Sequence, residues 1–154
     1  MKIMDFLDAE AIHVNLVSTS KKDVLAELVA PLAKSGKIGD PHKIVEVLLE
    51  REELGSTGIG GRIAIPHGKS PAVKELCAAF GLSRQGVAYD SLDGEPVNLF
   101  FVLLAPDGSA GVHLKALARI SGLLKDKFLK KALLSAQSRA DVIKVIESEE
   151  QSKQ

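Results

Sequence analysis

Apolar residues along this chain recur at two spacings, and the switch between them lays out the elements. After a short apolar turn at residues 3–7, the run 12–17 predicts a first strand. From Val24 the spacing lengthens. Val24, Leu25, Leu28, Val29 and Leu32 fit a helical period, with Ser20 placed to cap its start and Gly36 its end. Pro31 falls inside that pattern and predicts a kink or an early stop, because it brings no N–H and crowds the preceding turn. Asp40 and Pro41 open a second helix that runs to about Leu54: a capping carboxylate followed by proline at the first helical position.

A glycine-rich stretch, GSTGIGGR at 55–62, interrupts the pattern. Beyond it, 63–65 reads as a short strand stopped at Pro66. Residues 76–82 and Val97–Ala105 read as buried strands, the second apolar but for Asn98, as in a sheet covered on both faces. Between them 87–92 predicts a further strand, with Asp93-Gly94 supplying the turn. From Gly111 the period is helical, in three pieces that break near Lys125 and Ser138. Strands and helices in this order predict an α/β fold, a three-layer α/β/α sandwich around a mixed sheet. One domain spans 1–148, and the polar residues 149–154 are expected to form a flexible tail.

Composition narrows the function classes. The chain has 154 residues, 45% hydrophobic and 26% charged, enough for one domain with a real core. Twenty basic residues balance twenty acidic ones, which argues against non-specific nucleic-acid binding. The lysines between 125 and 131 leave a local basic patch open, although the run reads first as a solvated helix face. Cys77 is the sole cysteine, so no intramolecular disulfide or cysteine-based zinc site exists, and its apolar surroundings suggest a buried, inert thiol. Asp5 and Asp8 break the N-terminal stretch where a signal peptide needs apolar residues, and the longest apolar run is too short to span a bilayer. The expectation is a cytoplasmic protein, not membrane-embedded, with no nucleic-acid partner.

The segment LLEREELGSTGIGGRIAIPHGK (48–69) concentrates the chemistry. Glycines at 58, 60 and 61 let backbone N–H groups converge on an anion, and Ser56 and Thr57 add hydroxyl donors. Pro66 holds Ile65 extended and launches His67 from a strand end beside that cradle. An imidazole is a competent nucleophile for phosphorus when a hydrogen bond to one nitrogen fixes its tautomer. Arg51 follows Ile44, Val47 and Leu48 at helical spacing, so it points along the apolar face near the loop. It can neutralise a phosphoryl oxygen or complement the helix C-terminus; spacing alone leaves these two readings level.

Other readings of the loop fail. Gly55 and Gly60 match half of a P-loop, but Gly61-Arg62 stands where Lys-Ser/Thr is required, and Ile63 occupies the third glycine of a dinucleotide fingerprint. His113 shares a helical stripe with Leu117, Ile120 and Leu124, which reads first as a core histidine, although it sits in the first turn where anion sites gather. His13 and His42 read as surface residues. Histidine spacing suits no metal site, and no cofactor is implied.

On these residues the chain resembles the enzyme IIA component of the fructose–mannitol class of the bacterial phosphotransferase system, and within it the nitrogen-regulatory IIA proteins. The resemblance covers nearly the whole chain. It is most specific over EREELGSTGIGGRIAIPHGK, and continues through VNLFFVLLAP and HLKALARIS. It implies that His67 is the phosphorylated histidine, that His113 is the second active-site histidine, and that Arg51 is the active-site arginine. It also implies an HPr-like phosphocarrier as donor and either regulatory targets or a IIB domain as acceptor. The family's usual Asn-Gly is replaced here by Gly61-Arg62. A positive φ at the second position would strain Arg62, so Gly61 is expected to take that conformation.

Two uses of such chemistry remain open, regulation and sugar transport. The absence of a fused IIB segment favours regulation. A third reading keeps the fold without turnover, as an anion- or partner-binding module.

Overall fold

The computed structural model describes residues 1–152. A 3-10 turn at Ile3–Asp5 leads into β1 (Leu7–His13), followed by α1 (Lys21–Lys34) and α2 (Pro41–Glu53). Three short strands come next: β2 (Gly58–Gly60), β3 (Ile63–Ala64) and β4 (His67–Lys69). The long strands β5 (Cys77–Val87) and β6 (Val97–Ala105) precede α3 (Ala110–Leu124), α4 (Lys127–Leu134) and α5 (Arg139–Ser152).

Both early helices begin where their caps predict. The Ser20 side chain accepts from the Asp23 N–H, and the Asp40 carboxylate from the His42 N–H. Gly36, at φ 77°, closes α1 while the Lys37 N–H donates to the Leu32 carbonyl at 3.0 Å. Pro31 does not end α1. Leu28 and Leu32 are fully buried on one face, and their burial together with the closure after Ser35 offsets the missing bond.

The sheet runs β1-β5-β6-β3-β2, with β4 also on β6. β1 is parallel to β5, β5 antiparallel to β6, and β3 and β4 are both parallel to β6. β3 pairs with Leu99 and Phe100 and β4 with Leu103 to Ala105, so both lie on one edge of β6, separated by Ile65-Pro66. Alternation on the two long strands divides the core. Cys77, Ala79, Phe100, Val102 and Leu104 pack with α1 and α2. Ala78, Phe80, Leu82, Leu99, Phe101 and Leu103 pack with α3, α4 and α5. This is the expected three-layer α/β/α sandwich with a mixed sheet.

Three expectations shift. The first strand is Leu7–His13, not 12–17; Leu16 instead leaves the sheet to pack against α1, its N–H donating to the Leu82 carbonyl. No separate strand occupies 87–92, because β5 runs unbroken to Val87 and a loop then joins it to β6. Nor do residues 149–152 form a tail. α5 continues to Ser152, and the buried Glu150 carboxylate accepts from the Ile3 N–H at 2.7 Å and pairs with Arg119. Lys153 and Gln154, the end of the expected tail, lie outside the described residues. No helix among the described residues is long and apolar enough to cross a membrane.

Candidate active site around His67

His67 opens β4 directly after Pro66, whose carbonyl accepts from the Leu103 N–H at 2.9 Å and ties the turn to β6. The His67 Nδ1 lies 2.7 Å from the Ile65 carbonyl. A carbonyl only accepts, so Nδ1 carries the proton and Nε2 keeps its lone pair. Burial draws the His67 pKa below its ordinary value. The Ile65 carbonyl opposes that shift, the Arg51 guanidinium adds to it and the Glu52 carboxylate opposes it. The ring is therefore neutral at physiological pH, with its nucleophilic nitrogen fixed.

His113, in the first turn of α3, faces His67 with ring centroids 5.5 Å apart and planes tilted by 44°. It is buried, and its Nε2 meets no hydrogen-bond partner in the protein. Burial, then the neighbouring His67 and the Lys69 ammonium, push its pKa down to about 4. Lys69 lies two residues beyond His67, on the same face of β4. Arg51, in the last turn of α2, donates from Nη1 to the Gly55 carbonyl at 2.9 Å. The structure thus brings His67 and His113 face to face with Arg51 and Lys69 nearby, while the Arg51 guanidinium itself complements the carbonyl just past the end of α2.

The loop is built differently from an open cradle. The Thr57 hydroxyl donates to the Glu52 carboxylate, which also accepts from the Thr57 N–H at 3.2 Å. The Ser56 Oγ accepts from the Gly58 N–H and donates to the Tyr89 carbonyl, each at 3.0 Å. Both hydroxyls therefore brace the loop. Gly58 and Gly60 form β2, which returns through a tight turn to β3. Gly60 pairs with Ile63, opposite Leu99, whereas His67 pairs with Leu103. Four residues of strand separate the two levels, about 13 Å. Gly60 and Gly61 thus sit beyond reach of His67, and the Gly61 N–H is already given to Asp93 at 3.0 Å. Their glycines serve the hairpin. Gly61 and Arg62 take φ values of 63° and 68°, the signature of a two-residue turn that matches strand twist. Arg62 does adopt the strained conformation, and its guanidinium reaches Asn98 at 3.1 Å and Glu95 at 3.5 Å.

Glu52 is the residue that sequence reading missed. It is buried, and its carboxylate pairs with Lys21 at 3.1 Å. The Thr57 carbonyl then accepts from the Ile65 N–H at 3.0 Å, so hydrogen bonds run unbroken from Lys21 through Glu52, Thr57 and Ile65 to His67. A signal existed: the buried face of α2 is Ile44, Val45, Leu48 and Glu52, a helical stripe that ends on a carboxylate. Of the remaining histidines, His42 is exposed as expected, while His13 is half-buried with its Nε2 enclosed. Burial pushes the Cys77 thiol up to about 12, which makes it inert. No cluster of potential metal ligands occurs among the described residues.

A neutral imidazole with one nitrogen pinned, a second neutral imidazole facing it and two cations alongside can receive an anionic group such as a phosphoryl on histidine. Residues 5–149 match the family described as phosphoenolpyruvate-dependent sugar phosphotransferase system, EIIA 2. The chain belongs to that family of phosphocarriers, closely related to its nitrogen-regulatory members. It is 41% identical to a nitrogen regulatory protein of Bradyrhizobium diazoefficiens over 147 residues, 95% of each chain. It is 43% identical to a fructose-specific EIIABC component of Bacillus subtilis over 146 residues, 95% of this chain but 23% of that protein. Among solved structures, nitrogen regulatory protein IIA-Ntr from Neisseria meningitidis superposes with a TM-score of 0.85 at 33% identity, covering 92% of this chain and 97% of that one.

Proposed function

We propose that His67 Nε2 accepts a phosphoryl group from the phosphohistidine of an HPr-like carrier, and that the phosphorylated chain acts as a nitrogen-type regulator. The Nε2 lone pair attacks phosphorus in line. The new N–P bond forms as the donor's N–P bond breaks, and the donor imidazole leaves. Arg51 and Lys69 balance the charge of about −1.5 to −2 that arrives, and a phosphoryl oxygen gives the buried His113 Nε2 its missing partner. The observation that carries this reading is the Nδ1 contact with the Ile65 carbonyl, which leaves Nε2 as the only nucleophile on the ring. No nucleotide, metal or organic cofactor is needed.

The regulatory role is supported by the nitrogen regulatory relative that matches along 95% of both chains. The sugar-transport reading, in which phosphate passes to a IIB domain, rests on the comparable identity to a fructose-specific component. Incubation with phosphoenolpyruvate, enzyme I and an HPr-type carrier tests the chemistry: acid-labile label appears on the wild type and is lost in His67→Ala. Absence of label from every donor tried leaves anion or partner binding instead. Rapid onward transfer to a purified fructose-type IIB domain favours transport, whereas phosphate-dependent binding to non-transport proteins favours regulation.

A further inference from the structure

The end of the molecule away from His67 carries a face that phosphoryl chemistry does not use. α4 buries Leu129 and Leu133 and turns Lys127, Phe128 and Lys131 to solvent, with Phe128 89% exposed. Lys125 precedes the helix. Lys130 lies toward the β2–β3 turn, where a Cβ on Gly61 would stand 3.0 Å from its Nζ. At 3.6 residues per turn, Lys130, Lys127, Lys131 and Phe128 follow one another around the outer arc of the helix. None of these four lysines forms an ion pair among the described residues. The adjacent acid, Asp126, is committed to the helix start, accepting from the Phe128 and Leu129 N–H groups at 2.9 and 3.1 Å. A chain of zero net charge thus concentrates cations around a large aromatic ring held in water.

We propose that this face docks reversibly on an anionic lipid surface, with Phe128 entering the headgroup–acyl boundary and Lys125, Lys127, Lys130 and Lys131 engaging lipid phosphates. Composition favours lipid over a protein partner. Protein interfaces are depleted in lysine, whereas lysines flanking a protruding aromatic on an exposed helix suit a laterally mobile anionic surface that their long stems can follow. The patch adjoins the turn at the Leu99 level of β6 and His67 stands at the Leu103 level, so a docked molecule keeps its histidine open to soluble carriers.

The test is co-sedimentation of the full chain with vesicles of phosphatidylglycerol and phosphatidylethanolamine, against phosphatidylcholine alone and against duplex DNA. Binding is expected on the anionic vesicles only, and is lost when salt shortens the screening length to about 3 Å. Neutralising any one lysine weakens partitioning about fivefold. Lys127→Glu with Lys131→Glu abolishes it, and Phe128→Ser weakens it several-fold, while all three substituted residues leave phosphoryl acceptance and thermal stability unchanged. No binding to anionic vesicles, binding indifferent to these substitutions, or tighter binding to DNA than to vesicles overturns the proposal.

Discussion

Glu52→Gln removes the single charge through which α1, the glycine loop and His67 are joined. The carboxylate accepts from the Thr57 N–H and hydroxyl and pairs with Lys21. Glutamine keeps one acceptor oxygen but presents an amide where the second one stood, and leaves Lys21 short of its buried partner. Breaking a buried pair from one side costs about 3–5 kcal/mol. Lys21 retains 19% exposure and has Asp90 at 3.4 Å as a second partner, which places this loss nearer about 2–3 kcal/mol. For a chain of this size that lowers Tm by roughly 5–10 °C. The active-site readout is separate. The Glu52 carboxylate opposes the fall in the His67 pKa, so the variant lowers it further. A loosened Thr57–Ile65 connection also admits the Nε2-protonated tautomer, visible in imidazole 15N shifts. Adding Lys21→Met costs less than the sum of the single changes, since the charge left unpaired is then gone. Unaltered 15N shifts together with a stability change below about 0.5 kcal/mol would refute the chain of bonds drawn here.

Three further outcomes follow from the same geometry. His113 protonates only near 4 in the folded chain, and His67 also titrates below its ordinary value. Stability gained from keeping both neutral is complete above about pH 6.5 and is lost as pH falls toward 4; urea titrations across that window should show His113→Asn flattening the slope, and parallel profiles would count against the assignment. Arg62 sits at φ 68° with only exposed partners, so Arg62→Gly leaves stability unchanged or raises it by up to about 1 kcal/mol, whereas Arg62→Val lowers it by about 1–2 kcal/mol; equal effects in denaturant midpoints rule out strain. A Cβ on Gly68 would lie 2.9 Å from Cγ1 of Val47. Gly68→Ala should therefore cost about 1–3 kcal/mol and slow phosphoryl acceptance, and Val47→Ala should restore the rate; failure of that rescue places the defect elsewhere.

What could be read from the sequence was whatever local chemistry dictates. Asp40-Pro41, Ser20 and Gly36 set helix ends through caps and backbone constraint, and each stands where its residue type requires. The run Val97–Ala105, apolar but for Asn98, announced a strand covered on both faces, and it is the central strand of the sheet. Pro66 does stop the strand before it, but His67 then opens a further short strand, β4, that the apolar pattern did not show. What escaped depends on register. That Gly60 and Gly61 belong to a hairpin tip about 13 Å from His67 follows from pairing with Leu99 rather than Leu103, and no local pattern encodes that choice. Ser56 and Thr57 looked like ligand donors because their partners, Tyr89 and Glu52, are brought to them by the fold. Arg62 at positive φ was judged from steric preference alone, which a two-residue turn overrides. Phe128, apolar in a helical pattern, gave no hint that it faces water.

The proposed phosphorelay places the phosphoryl group on Nε2 of His67 while Nδ1 stays protonated against Ile65. Phosphorylation by an HPr-type carrier followed by heteronuclear NMR of imidazole-labelled protein reads this directly. A single phosphohistidine is expected, with phosphorus coupled to Nε2 of His67 and a retained Nδ1–H. Coupling to Nδ1, or a phosphoryl group on His113, contradicts it.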